Sequence, residues 1–313
     1  MNRLFGKILS GNIPIREYST VTIGDEVRER VYMEANGLIR DISLNHWLLC
    51  LEPLIFGIWI AQKDDSPIPA IGIDCRMYFS PAIHTDSRHI RKHAMATVKL
   101  DLFDKIQEAA GCLYLVRLRR TTLYHVGWLR TRLLFSKYYK KPGLSFKKYA
   151  SFITGFSYPR QVRLISFREE GYYNIFPMDL VGEIRPGHTF VFGLRHTNIA
   201  LAKIIQSRKM VVADVPAAKK DMIYALGKHH GTAPPALDLL PFPVFCSEGL
   251  GFYLPEWVES YKEISIRGTM NLGSHMLLWG EWTKDVKVNG PLPHLYHVHF
   301  LQYLHQRGMG WEY

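Results

Sequence analysis

The stretch YYNIFPMDLVGEI, residues 172–184, follows Gly171 and carries an Asn, a Pro between apolar residues and an Asp inside an otherwise strand-like run. Asn and Asp are poor strand formers, and a proline has no N–H to give to a ladder. Upstream, RQVRLISFREE (160–170) reads as the other arm of a hairpin with its turn at Glu169, Glu170 and Gly171. A buried strand is therefore expected to be interrupted around Pro177.

The neighbouring segments continue the strand-rich pattern. HTFVFGLR (188–195) reads as a buried strand. NIALAKIIQSRK (198–209) has the apolar spacing of a helix, and MVVADVP (210–216) is a strand. KKDMIYALGKHHG (219–231) is helical and stops at Gly227 or Gly231. A Pro- and Gly-rich loop fills 232–257, and YKEISIRGTMNLGSHMLLWGEWTKDVKV (261–288) is a strand pair. In the first half, Asn36-Gly37 joins two strands of a hairpin, and HWLLCLE and LIFGIWIAQ form a second pair turning near Glu52-Pro53. TVKLDLFDKIQEAAG (97–111) has apolar residues at helical intervals and ends on glycine, so it predicts a helix. CLYLVRLRR and TTLYHVGWL follow as strands. SKYYKKPGLS (136–145) is a charged break, and SFKKYASFITGF (145–156) opens a helix at a Ser145 cap. Two domains are expected, 1–140 and 145–313. The fold class is mainly β with inserted helices, best fitted by a small antiparallel barrel. No GxGxxG and no GxxxxGK[ST] is present, so a Rossmann site and a P-loop are not supported.

The totals are those of a globular chain: 313 residues, 47% hydrophobic and 21% charged, with a formal net charge of +11. The positive excess is concentrated. Between Ala109 and Phe167 there is no acid, while Arg117, Arg119, Arg120, Arg130, Arg132, Lys137, Lys140, Lys141, Lys147 and Lys148 crowd together. Such a field attracts nucleotide phosphates, nucleic acid or an anionic membrane surface. Tyr114, Tyr124, Trp128, Tyr138 and Tyr139 among these cations fit a nucleic-acid alternative; a solvated basic face is the plain one. Cys50, Cys75, Cys112 and Cys246 stand far apart without a CxxC, which argues against a thiolate zinc site and a disulfide framework. The N-terminus lacks the apolar core of a signal peptide, and the longest apolar run contains Glu52 and Pro53 and is short for a membrane span. A soluble, cytoplasmic protein is expected.

The ordered series VRLISFREEGYYNIFPMDL, TFVFGLRHTN, ALAKIIQSRKMVVADVP, IYALGK and LGSHMLLWGEW resembles the flavin reductase-like family of FMN-binding split barrels, over about residues 145–305. The resemblance implies an antiparallel split β-barrel that binds FMN. It also implies transfer of hydride or electrons from NAD(P)H to a flavin or another small acceptor. Carried over, Asn174, Phe176, Pro177, Met178 and Asp179 would meet the isoalloxazine ring, backbone reading its edge and Phe176 or Met178 covering a face. Arg195, His196, Thr197 and Asn198 would hold the phosphate, with helix N–H groups helping and Lys228 as a further anion contact. Thr197 or Asn198 reads equally as a plain helix cap. His275 would face the open side of the ring as a polar contact or proton donor. A homodimer is implied. If the strand-rich first half is a degenerate second barrel, the chain is a monomer whose two halves form an internal pseudo-dimer. SLNHWLLCLE echoes NLGSHMLLWGE and would then match His46 with His275.

Other classes stay open on the residues. A flavin- or haem-binding barrel without catalysis shares the pattern. His294, His297, His299 and His305 in the tail, and His89 with His93, have spacings that metal ligands use. A Ser-His-Asp site lacks its GxSxG elbow.

Overall fold

The computed structural model describes residues 19–22, 30–35, 37–62, 75–80, 83–124, 128–136, 140, 142–155, 158–185 and 187–298. Fourteen strands build two antiparallel seven-stranded sheets. The first holds β1 (Arg30–Ala35), β2 (Leu38–Asp41), β3 (His46–Leu51), β4 (Leu54–Ala61), β5 (Cys75–Ser80), β6 (Ala96–Glu108) and β7 (Gly111–Leu123). The second holds β8 (Arg163–Glu169), β9 (Tyr172–Met178), β10 (Val181–Ile184), β11 (Thr189–Arg195), β12 (Lys209–Asp214), β13 (Ser260–Asn271) and β14 (His275–Lys287). The spatial orders are 2-1-5-6-7-4-3 and 9-8-12-13-14-11-10. Adding seven to every strand number of the first sheet reproduces the second.

The repeat extends to irregularities. The β6–β7 ladder shifts register at Lys99/Leu100 and at Leu102/Asp104; the β13–β14 ladder shifts at Glu263/Ile264 and Ile266/Gly268, each 164 residues further along. Both hairpins close with two residues, Ala109-Ala110 and Gly273-Ser274. The main difference lies between the fifth and sixth strands of each set. The first sheet spans the gap with 81–95, which holds α1 (Ser87–His93). The second uses 215–259, which holds α5 (Lys220–Leu226) and the short pair Val244–Cys246 with Tyr253–Pro255. The remaining α-helices among the described residues are α2 (Trp128–Leu134), α3 (Phe146–Gly155) and α4 (Leu201–Ser207). A third, small sheet pairs Ser19–Thr22 with Leu295–Val298 and the latter with Arg160–Gln161.

Three expectations are corrected. Residues 97–108 are strand β6, not a helix. Val98, Leu100 and Leu102 alternate with Thr97, Lys99 and Asp101, a period of two that the β5 and β7 ladders select over the helical spacing. TTLYHVGWL is not one strand: β7 runs through Leu123 and α2 starts at Trp128. His46 does not match His275. It opens β3, whose counterpart is β10, whereas His275 opens β14. The hairpin at 163–178, the β1–β2 hairpin turning at Gly37 (φ 80°) and the Ser145 cap, whose Oγ accepts the Lys148 N–H at 3.2 Å, stand as read, while Asn36 lies outside the described residues.

The sheets meet across β3 and β4 on one side and β10, β11 and β14 on the other. Leu49, Ile55, Leu113 and Leu115 bury against Ile184, Val191, Leu272 and Leu277. The approach is close enough that a Cβ on Gly193 would sit 1.9 Å from the Leu49 carbonyl oxygen. Helix α3 lies against the first sheet, with Gly155 beside Leu54 and Thr154 hydrogen-bonded to Thr121. No helix among the described residues is long and apolar enough to cross a membrane.

Candidate functional site

Strand β9 is continuous. It pairs with β8 from Tyr172 to Met178, with Pro177 opposite Leu164. It is the edge strand of its sheet, so the missing N–H of Pro177 interrupts no ladder. The expected break is not there. Phe176 and Met178 are buried in the core, where they present no face to a ring. Asp179 lies just past the strand, where its Oδ2 accepts from Arg160 Nη2 at 2.8 Å and Nε at 3.1 Å and lies 2.7 Å from His297 Nδ1. The Arg160 and His297 charges and hydrogen bonds outweigh its burial and hold its carboxyl far below the usual range. Asn174 is fully buried and turned inward. Its Nδ2 donates to the His229 carbonyl at 3.0 Å and the Tyr172 hydroxyl at 3.2 Å, and its Oδ1 has no partner.

The other predicted residues do converge. Arg195 ends β11 directly opposite His275, which begins β14. The turn after Arg195 is organised by Asn198, whose Oδ1 accepts the Ala200 N–H at 2.9 Å, and α4 begins at Leu201. Asn198 thus folds the turn rather than capping the helix. His230 joins the group from the segment after α5. Asn198 Nδ2 donates to its Nδ1 at 3.2 Å, so its Nε2 proton points to Thr197 Oγ1 at 3.0 Å. That arrangement needs a neutral imidazole, and burial together with Arg195 lowers the His230 pKa. His196 Nε2 lies 3.2 Å from Asn271 Oδ1. Lys228 is exposed and adds positive potential at His229, whose pKa it and burial depress.

His275 is buried, and its titration is pushed down to about 4, chiefly by burial and then by Arg195. Ser274 Oγ accepts the Glu52 N–H at 3.0 Å, lies 3.5 Å from Cys50 Sγ and is 2.8 Å from His275 Nδ1. The imidazole nitrogen is the closer and stronger acceptor for the remaining hydroxyl proton. His275 then carries its own proton on Nε2, a buried donor without a partner. The turn of the first sheet therefore orients a residue of the second. A nitrogen-detected NMR titration is expected to show His275 neutral, with the Nε2 proton, down to a midpoint near 4; a midpoint near 6.5, or the proton on Nδ1, would overturn the buried neutral ring described here.

The matching place in the first sheet is blank. Ala61 stands opposite Gly111 as Arg195 stands opposite His275, and Gln62 N donates to Ala110 O as His196 N does to Ser274 O. Arginine, histidine and serine are replaced by two alanines and a glycine. The Trp59 ring closes the space, lying 2.8 Å from where a Gly111 Cβ would be.

Sequence reading missed His229, His230, Ser274 and Arg160; the HH pair beside Lys228 was the one available signal. A cavity of 670 Å³ next to the β8–β9 turn is lined by Arg168, Tyr172, Tyr173, Phe252 and Tyr253 and reaches neither Arg195 nor His275. His294 pairs with Glu259 and His297 with Asp179, while His299 and His305 lie outside the described residues. The rings of His89 and His93 stack with that of His84, and no metal-holding group occurs among the described residues. Of the basic stretch, Lys137, Tyr138, Tyr139 and Lys141 also lie outside them.

No protein-family model matches the chain, and no curated protein is detectably similar to it. Solved structures are similar over about half of it. An FMN-binding protein from Thermus thermophilus with bound 1-cyclohex-2-enone is 18% identical over 48% of this chain and 80% of its own, with a TM-score of 0.38. Flavoredoxin from Methanosarcina acetivorans is 14% identical over 41% and 69%, TM-score 0.36. The Streptomyces globisporus C-1027 NADH:FAD oxidoreductase is 10% identical over 47% and 88%, TM-score 0.41. The fold is mainly β, with two antiparallel seven-stranded sheets among the described residues.

Proposed function

We propose that the second sheet binds FMN at the Arg195–Asn198 turn and that the chain passes hydride or electrons from NAD(P)H to a flavin or another small acceptor. The observation that carries this reading is the pairing of a cationic, hydroxyl-bearing turn with a buried His275 whose Nε2 has no partner. Arg195 and Thr197 would take the phosphate. His275 Nε2–H and the Asn174 amide are the buried polar groups suited to a heteroaromatic edge. FMN, when bound, supplies the hydride chemistry, so no protein acid–base pair is needed for that step. The chain's own tasks are to anchor, to orient and to keep His275 neutral. Since the first sheet's counterpart is closed by Trp59, the halves 1–140 and 145–313 are read as an internal pair with one ligand per chain.

Purified protein is expected to show flavin absorbance bands, or to gain them on adding FMN, at one per chain, and NADH or NADPH to bleach them. Replacing Arg195 and Thr197 with alanine is expected to weaken FMN binding by roughly 10- to 100-fold while riboflavin binding changes little. Equal losses for both ligands would remove the phosphate assignment. Two flavins per chain would remove the internal pair.

A further inference from the structure

The 670 Å³ cavity beside the β8–β9 turn shares no residue with the cluster around His275. One wall is the hairpin from Arg168 to Tyr173, and the other is Leu237 with the loop 250–253. The two walls are fastened together. Ser166 Oγ donates to the Tyr253 carbonyl at 2.7 Å, Arg168 Nη1 donates to the Gly251 carbonyl at 2.8 Å, and the Tyr173 hydroxyl donates to the Pro235 carbonyl. Phe252 is buried and packs edge-on to Phe167, with ring centres 5.6 Å apart. A site held this way needs little ordering to receive a ligand. Its volume lies within the roughly 300–1,000 Å³ of small-molecule sites.

The lining is aromatic with a single cation. The rings of Tyr173 and Tyr253 stand perpendicular, 5.7 Å apart, and the Arg168 guanidinium lies over Tyr253, 4.2 Å from the ring centre. The partners of Arg168 among the described residues are the Gly251 carbonyl, the Tyr253 ring and Cys246 Sγ, and none is a carboxylate. Its Nε and Nη2 have no acceptor among those residues, and that edge of a guanidinium takes a carboxylate in two parallel bonds. Of the lining acids, Glu169 pairs with Lys203, and Glu170 is exposed at the turn. The repeat shows the same position satisfied. Next to the pair that closes each hairpin, Glu34 stands opposite Ile39 in β1–β2 and Arg168 opposite Tyr173 in β8–β9. Glu34 is matched by Arg91 of α1 and by the Tyr78 hydroxyl. Arg168 has the opposite charge, and the longer 215–259 connection brings it backbone and aromatic groups in place of a counter-ion.

We propose that this cavity is a second binding site, for an aromatic carboxylic acid. The carboxylate takes the open edge of Arg168, and the ring lies among the tyrosines, where aromatic faces and edges meet. The full chain is titrated by calorimetry with 2-naphthoate and with the neutral 2-naphthalenemethanol, in the presence and absence of FMN. One saturable site per chain is expected for the acid, unaffected by FMN, with the alcohol bound more weakly. Arg168→Ala is expected to weaken the acid about 10-fold or more, the loss of a charge-assisted contact, and to leave the alcohol nearly unchanged. Arg168→Lys keeps the charge without the fork and is expected to fall between; it carries the comparison should the alanine variant misfold. Glu170→Gln removes a nearby like charge and is expected to leave the affinity equal or up to about threefold tighter. Arg88→Ala, on the exposed face of α1, is the control and is expected to change nothing. Absence of saturable binding, or equal affinity in wild type and Arg168→Ala, overturns the proposal. So does equal affinity for acid and alcohol, or weakening by Glu170→Gln, since either removes the anionic ligand. Competition by FMN also overturns it, by placing the acid in the flavin site. Because flavin binding is read separately, failure here leaves the FMN reading standing, and the reverse also holds.

Discussion

Gly193→Ala is expected to cost about 3 kcal/mol or more, at the upper end of what overpacking a core does. The added Cβ would meet Leu49 O at 1.9 Å, Leu49 C at 2.7 Å and Leu49 Cα at 3.0 Å. These are backbone atoms of a strand packed against β10, β11 and β14, so no rotamer change relieves the clash. The two sheets would have to separate along the seam where Leu49, Val191 and Leu277 are buried. A chain of this size loses roughly 2–4 °C of melting temperature per kcal/mol. Thermal unfolding of the variant is therefore expected about 10 °C below wild type. Gly231→Ala, where an added Cβ meets nothing within 4 Å, is the control and is expected to be nearly neutral. A Gly193→Ala protein that melts with the wild type would mean that the sheets do not pack as described.

The second large effect is expected at Asp179. Its side chain is 22% exposed, and the Arg160 side chain it pairs with is 3% exposed. Asp179→Asn removes the carboxylate that this buried guanidinium pairs with, and breaking such a pair typically costs about 3–5 kcal/mol. The pH dependence has a definite sign. The folded-state pKa of Asp179 is depressed, so the ionised form stabilises the fold. That contribution is complete above the unfolded carboxylate value of about 3.9 and is lost as pH falls below it. Denaturant unfolding at neutral pH should separate wild type from variant by the full amount, and the gap should close on acidification below about pH 4. A gap that is constant with pH, or that opens on acidification, would show that Asp179 is not held ionised by Arg160 and His297.

Much of the second sheet was legible because its signals are local. Gly171 with φ 68° marks the hairpin turn, and VRLISF, TFVFGLR and MVVAD alternate or run apolar over strand lengths. The segment 97–108 shows the limit of that reading. Its apolar residues satisfy both periods, and only the β5 and β7 ladders decide between them. Pro177 shows another limit. Whether a strand proline breaks a ladder depends on whether the strand is an edge, which is a property of the sheet order. The echo between His46 and His275 misled because buried strands share composition. The true repeat lies in strand order and bulge positions, which leave little trace in residue identity.

The candidate site divides the same way. The run Arg195, His196, Thr197, Asn198 and the residue His275 were readable as polar groups at strand ends. Their meeting was not, because it is the β11–β14 register that sets Arg195 opposite His275. His230 entered only through the fold of the 215–259 segment, and Ser274 acquired its orienting role from Glu52, more than two hundred residues away.

By itself the sequence determined the strand-rich class, the turns at Gly37 and Gly171, the positive stretch and the polar residues available for a site. These follow from local propensity, spacing and charge, which act between neighbours in the chain. The tertiary structure alone decided that the first sheet repeats the second, and that one copy keeps its polar cluster while Trp59 closes the other. Each of those depends on which strands pair and in what register, and pairing is settled by burying two apolar seams at once.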